Sequence, residues 1–296
     1  MTKHIKTVTA SRISEAPDLL GESPVWDDQL GRLYWVDSMS KKIRYYHPAD
    51  HSHGDIDVPQ IIGSVGLGAP GTLVVGLSDG IYSIEIETGA ATPLYRLDPA
   101  NDRVRFNDGK VDRQGRFVCG GMGIYAEPLG EVLRVAPDGT AEVLANGLRI
   151  TNSICFSPDG DTFYMADSLD KLVRAYSYGT GEEALSEPRM LVDTKPYASG
   201  PDGATVDSEG CIWIALVQTG QIARFTPDGD LDALIEAPTD MPTCMCFGGP
   251  DLKTLYVTSI KDSGSGRAIS RHPLGGHLFA IEGLGVTGLP EPRFAS

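Results

Sequence analysis

The 296-residue chain carries 40 acidic against 25 basic side chains, a formal charge of -15. That balance argues against DNA or an acidic membrane surface as partner, because polyanions are bound through Lys/Arg clusters that replace their counterions. With 41% hydrophobic and 22% charged residues the sequence reads as a soluble globular protein with a sizeable core, and it has no apolar run of the roughly 18 residues that a membrane span requires.

The N-terminal stretch MTKHIKTVTASRISEAPDLL lacks the apolar centre of a secretory signal. Together with five cysteines (Cys119, Cys155, Cys211, Cys244, Cys246), an odd number without a disulfide framework, it predicts a cytoplasmic protein. Cys244 and Cys246 form only a C-x-C, too close and too isolated for a zinc site, and are read as buried small apolar residues. Within the N-terminal stretch, HIKTVTAS (4–11) has strand character.

From there a unit recurs. A turn followed by an apolar strand appears as DDQLGRLYWVD (27–37), PGTLVVGL (70–77), DRQGRFVCGG (112–121), SPDGDTFYMAD (157–167), DSEGCIWIAL (207–216) and GPDLKTLYVTS (249–259). Each is followed by a strand with period-two alternation: KKIRYYHP, GIYSIEIETG, GEVLRVAPDG, KLVRAYSYG, GQIARFTPDG and GHLFAIEG. Adding a strand before each turn and an outer strand after each pair gives four-stranded blades. The expectation is an all-β fold, a single six-bladed β-propeller domain over 1–296, with the strand at 4–11 closing the last blade beside 277–282 and removing an exposed edge. A β-sandwich would show short strands too, but not two six-fold series in register. The SPDG and TPDG segments read as turns in which Asp accepts local backbone hydrogen bonds and Gly takes positive φ.

Four polar residues, Glu22, Asn107, Asn152 and Asp202, each precede one of the turn glycines by about eight or nine residues. In a propeller that shared offset means a shared depth on the innermost strands, so the residues converge on the central channel. Blade by blade the positions are Glu22, the Gly63 to Val65 stretch, Arg105 with Asn107, Asn152, Asp202 and Thr243. Glu22, Asn152 and Asp202 offer two anionic oxygens and one neutral oxygen, a set suited to a hard divalent cation that keeps positions open for water or substrate. The histidines (His4, His47, His51, His53, His272, His277) fall at the terminus, in turns or on outer segments and are read as surface or structural.

LGESPVW (20–26), RFNDGKVDRQGRF (105–117), ITNSICFSPDG (150–160), GPDGATVDSEGCIW (200–213) and CFGGPDLKTLYVT (246–258) together resemble the gluconolactonase and regucalcin (senescence marker protein) family of metal-dependent lactonases. The resemblance spans nearly the whole chain and implies a six-bladed propeller. It implies that Glu22, Asn152 and Asp202 hold one divalent metal ion, calcium, zinc, manganese or magnesium, and that Arg105 and Asn107 face the substrate. Two departures stand out. Ser153 occupies a position where glycine is common, and after Gly120–Met122 the chain reads GIYAEP, placing Tyr125 where sugar lactonases carry a hydroxyl-binding glutamate. Tyr125 therefore becomes a substrate-binding candidate with Glu127 as its alternative, and Met122 and Gln218 are assigned to the rim.

The implied chemistry is the opening of a lactone, of a sugar or a related γ- or δ-type, to a hydroxy acid. The metal polarises the carbonyl, Asp202 or a metal-bound hydroxide activates water, and Arg105 orients the substrate or shares the developing charge. No G-x-S-x-G elbow is present. The alternatives are a phosphotriesterase-like or promiscuous esterase on the same site, and a calcium-binding propeller without turnover. The expected partner is a small-molecule lactone; oligomeric state is not legible.

Overall fold

Six antiparallel sheets of four strands each make up the computed structural model, which describes residues 8–98, 102–179 and 185–294. The first strands of the sheets are Gly21–Asp27, Ile62–Leu67, Val104–Val111, Thr151–Phe156, Pro201–Val206 and Pro242–Gly248. These six touch one another in cyclic order, the sixth returning to the first. The chain is a six-bladed β-propeller with these strands innermost, and the blades are numbered 1 to 6 in that order.

Both faces of each blade pack on a neighbour, so the second strands are buried almost end to end rather than on alternate residues: RLYWVD, TLVVGL, TFYMAD and TLYVTS each leave only their first residue partly accessible. Six apolar clusters result, one in each gap between neighbouring blades. Trp26 stacks on Tyr256 in the gap between blades 1 and 6, and Trp213 meets Phe247 edge-on in that between blades 5 and 6.

The turns between first and second strands follow the sequence reading. All six turn glycines, Gly31, Gly71, Gly115, Gly160, Gly210 and Gly249, have φ between 62° and 85°, a region that costs glycine little. Aspartates lock the loops locally: Asp27 accepts from the backbone N–H of Gln29 and Leu30, Asp112 from Gln114 and Arg116, and Asp207 from Glu209 and Cys211.

Blade 6 is built from both ends of the chain. Thr9–Arg12 pairs antiparallel with Phe279–Glu282, in the register Thr9 to Glu282 and Arg12 to Phe279. The strand expected at 4–11 is thus found over 9–12, and residues 4–7 and His4 lie outside the described residues. All five cysteines are buried and free. Among the described residues no helix is long and apolar enough to cross a membrane.

After Glu282 the chain leaves the blades and crosses the end of the channel where the inner strands finish. The backbone N–H of Phe294 donates to the Leu67 carbonyl (2.7 Å), Arg293 pairs with Asp27, and Glu291 reaches Lys110 at 3.1 Å. Phe294 is buried in the cluster between blades 2 and 3. The tail covers that end of the channel, leaving the opposite end, where the inner strands begin, as the approach.

Candidate functional site

Every inner strand is interrupted by the same irregularity near its start. The pairing with the second strand shifts register between Glu22 and Val25, Ile62 and Ser64, Phe106 and Gly109, Asn152 and Cys155, Pro201 and Ala204, and Pro242 and Met245. Such bulges turn a strand and re-aim its side chains. Glu22, Asn107, Asn152 and Asp202 all sit at these bulges, so the offset read from sequence corresponds to one level of the channel. Ser23 (φ 49°) and Ser153 (φ 57°) follow Glu22 and Asn152 in the left-handed region. Ser153 therefore adopts a conformation natural to glycine.

The bulges are stitched across the blade gaps. Ser153 Oγ donates to the carbonyl of Asp202 (2.6 Å), Thr243 Oγ1 to that of Gly21 (2.5 Å), and Ser23 Oγ accepts from the Val65 N–H (3.0 Å). Blade 2 contributes no donor side chain because it has no room for one: a Cβ on Gly63 would lie 2.2 Å from the Asn107 carbonyl oxygen.

The four polar side chains are brought together in part by direct bonds. Asn107 Nδ2 donates to Asn152 Oδ1 (3.1 Å) and to the Thr151 carbonyl (3.0 Å), while Asn107 Oδ1 accepts from Arg105 Nη1 (3.2 Å). Asn152 Nδ2 donates to Ser168 Oγ (2.8 Å), which donates to the Pro201 carbonyl (2.8 Å). This chain fixes the Asn152 amide with its oxygen toward Asn107 and leaves that oxygen one further lone pair.

Glu22 and Asp202 are linked by charge. Burial raises the Glu22 carboxyl well above its ordinary value, helped by the nearby Asp202 and Asp108 and opposed by Arg105. Burial, then Asp108, pushes Asp202 up to about 8. Arg105 is lowered by burial to about 10, with Glu22 holding it up, and so stays cationic at neutral pH. Among the described residues nothing donates a hydrogen bond to the Asp202 carboxylate, and Glu22 accepts only from the N–H of its neighbour Ser23 (3.2 Å).

Two carboxylates left short of donors beside an oriented amide oxygen suit a hard cation: the electrostatic cost of gathering them is what a bound ion removes. Among the described residues no three His, Cys, Asp or Glu side chains form a metal-holding cluster, so the candidate set depends on the Asn152 amide.

The rim residues are placed as follows. Tyr125 is 73% exposed, in the loop between the second and third strands of blade 3. Its backbone N–H donates to Glu127 Oε2 (3.0 Å), whose other oxygen pairs with Arg103 (3.4 Å). Met122 lies opposite Arg105 in the blade 3 pairing. Gln218 is exposed and its Oε1 accepts from the Gly200 N–H (2.8 Å). His277 is buried against Ser14 (3.1 Å), and His47, His51 and His53 lie on the outer part of blade 1, away from the channel.

Residues 20–261 match the family model described as the SMP-30/gluconolactonase/LRE-like region. The chain belongs to this family. A relative, 6-deoxy-6-sulfogluconolactonase of Pseudomonas putida, is 34% identical over 97% of this chain and 99% of that one. A pentonolactonase of Haloferax volcanii is 31% identical over 97% and 98%. The solved structure of a protein described as a calcium-binding protein, regucalcin, from Agrobacterium tumefaciens aligns with a TM-score of 0.89 at 29% identity over 97% of both chains.

Sequence reasoning missed two members of this candidate site. Asp108, inside the RFND motif, accepts from the N–H of Ile154 (2.8 Å) and Gly109 (2.8 Å), tying the blade 3 bulge to blade 4, and burial raises it to about 6. Ser168 orients Asn152 from a turn 16 residues away. Asp108 was legible as a carboxylate adjoining a candidate; nothing in the sequence marks Ser168.

Proposed function

We propose that this family member is a metal-dependent lactonase, opening a lactone ring to a hydroxy acid at a divalent cation held by Glu22, Asn152 and Asp202. The observation that carries the reading is the Asp202 carboxylate, buried, raised to about 8 and without a hydrogen-bond donor among the described residues, beside Glu22 and the oriented Asn152 oxygen. The lactonases among its relatives support the reaction class, and the regucalcin described as calcium-binding supports a cation. The donors are compatible with calcium, magnesium, manganese or zinc. When bound, the ion supplies a Lewis acid for the lactone carbonyl.

The chain's own residues do the rest. Arg105, held by Asn107 and the Phe106 carbonyl (2.9 Å) through one terminal nitrogen, keeps its other donors for the substrate and for charge developing on the acyl oxygen. Asn107 spends its amide on Asn152 and Arg105 and so couples the two halves of the site. Asp202, ionised once a cation lies beside it, is placed to accept the proton of the attacking water. The Tyr125 ring and Met122 border the approach, and substrate enters where the inner strands begin.

A pH-indicator assay over aldonolactones, alkyl γ-lactones and aryl lactones, with and without chelator, tests the reading. Asp202→Asn and Asn152→Ala each lower the metal-dependent rate by at least about tenfold. A rate untouched by both substitutions would overturn the site. Phosphotriester and simple ester substrates in the same assay expose the esterase alternative, and cation binding without any hydrolysis exposes the non-catalytic one.

A further inference from the structure

The described surface exposes eight large apolar side chains, and five of them, Leu19 (43%), Ile124 (41%), Tyr125 (73%), Leu169 (46%) and Ile269 (50%), lie in segments at the open end of the channel. Leu19 precedes Glu22 by three residues, and its carbonyl accepts from the N–H of Lys261 (3.0 Å) and Asp262 (2.9 Å). Asp262 in turn bridges to Ile269, so Leu19 and Ile269 lie on blades 1 and 6, across the channel from the other three. Ile124 and Tyr125 follow the blade 3 strand that carries Met122, and the Ile124 N–H donates to the Arg103 carbonyl (2.9 Å), two residues before Arg105. Leu169 adjoins Ser168, which orients Asn152 and donates its N–H to the Ile150 carbonyl (3.0 Å), while the Gly123 N–H donates to the Arg149 carbonyl (3.2 Å), so the loops carrying Ile124, Tyr125 and Leu169 meet at residues 149–150.

Three polar side chains of the rim are already engaged. Both oxygens of Glu127 accept from protein donors, Gln218 Oε1 accepts from Gly200, and Ser168 both donates and accepts. A polyhydroxylated ring would have to displace those bonds, each loss leaving a polar group short of a partner. An alkyl chain needs only apolar surface, and clustered exposed apolar surface beside a polar site is where an apolar part of a ligand gains most.

We propose that the channel mouth selects lactones carrying an alkyl substituent, whose chain lies against the collar of Ile124, Tyr125 and Leu169 on blades 3 and 4 while the ring meets Arg105 and the carboxylates. This rests on the lactonase reading of the same site and names the substrate class within it. The lining is aliphatic apart from Tyr125, which fits a saturated chain. Because the collar is open on one side, each methylene gains about threefold rather than the larger factors of an enclosed pocket.

The test uses the metal-loaded protein with γ-butyrolactone, γ-hexalactone, γ-octalactone, γ-decalactone and glucono-1,5-lactone, and calorimetric titration with the matching 4-hydroxy acids. The expected result is kcat/KM rising about threefold per methylene through a falling KM at similar kcat, with hydroxy-acid affinity rising in parallel and a negative heat-capacity change. Leu169→Ser and Ile124→Ser, both at exposed positions, each flatten that slope, and their unfolding midpoints verify that they fold. Opening of glucono-1,5-lactone with rate and affinity independent of alkyl length overturns the collar and leaves the lactonase reading standing. Affinity that climbs with chain length while no lactone is opened supports the collar and overturns the lactonase reading. Self-association that these substitutions abolish, with no chain-length dependence, overturns the collar in favour of a second copy of the chain as its occupant.

Discussion

At the scale of single residues, the site depends on side chains that touch no substrate. Ser168 holds the Asn152 amide so that its oxygen, not its nitrogen, points toward Asn107 and the channel. Losing a partner that orients a ligand typically costs about 10- to 100-fold in metal affinity or activity. Ser168→Ala is therefore expected to weaken calorimetrically measured cation binding by at least about tenfold while leaving the unfolding midpoint in chelator nearly unchanged. Ser153 poses a sharper question, because two effects oppose each other. Its φ of 57° costs a non-glycine residue about 1 kcal/mol or more, and its hydroxyl satisfies the Asp202 carbonyl at 2.6 Å. Ser153→Gly removes strain and bond together and should change stability by less than about 1 kcal/mol. Ser153→Ala keeps the strain and orphans a buried acceptor, so denaturant unfolding should show a loss of about 1–3 kcal/mol. Equal losses in the two variants would mean that the left-handed backbone at Ser153 costs nothing, and no loss in Ser153→Ala would mean that the bond to Asp202 contributes nothing.

At the scale of elements, the six bulges explain both the site and the limits of reading it from sequence. Turn glycines and the apolar strands that follow them are local signals, and each reappears where the sequence placed it, from Gly31 to Gly249. The bulges are not local signals: two residues oppose one, and Ser23 and Ser153 look like ordinary strand serines until their backbone is seen. The common offset of Glu22, Asn107, Asn152 and Asp202 was readable because the bulge recurs at the same place in each blade, so a regular error cancels. Asp108 and Ser168 escaped because their roles arise from contacts across blade gaps, and the tail over residues 286–294 escaped because it belongs to no repeat. Gly63 belongs to this scale as well. A methyl group there would meet the backbone of Asn107 at 2.2 Å, and backbone cannot rotate away. Gly63→Ala should thus cost about 1–3 kcal/mol and lower kcat/KM by displacing Asn107 from Asn152 and Arg105. Retention of full activity would show that blades 2 and 3 separate without moving the site.

At the scale of the whole molecule, a cation held by Glu22, Asn152 and Asp202 would tie together blades 1, 4 and 5 of a ring whose last blade is completed by the four-residue pairing of Thr9–Arg12 with Phe279–Glu282. Its binding energy should then appear in the unfolding of the entire ring. Protons compete for the same place. Burial pushes Asp202 to about 8 and raises Glu22 well above its ordinary value, whereas in the unfolded chain such carboxyls release their protons near pH 4. Between about pH 4 and 8 the cation-free native state holds protons that the unfolded state has lost, so its stability falls as pH rises. A cation replaces those protons, and its contribution grows over the same interval, reaching about 2.7 kcal/mol when its concentration is 100 times Kd. The gap between the unfolding temperatures in calcium and in chelator should be widest near pH 8 and shrink toward pH 5. Asp202→Asn, which cannot ionise, should narrow the gap at pH 8 and remove most of its pH dependence. A gap that is constant from pH 5 to 8 in both proteins would place any bound cation away from these carboxylates.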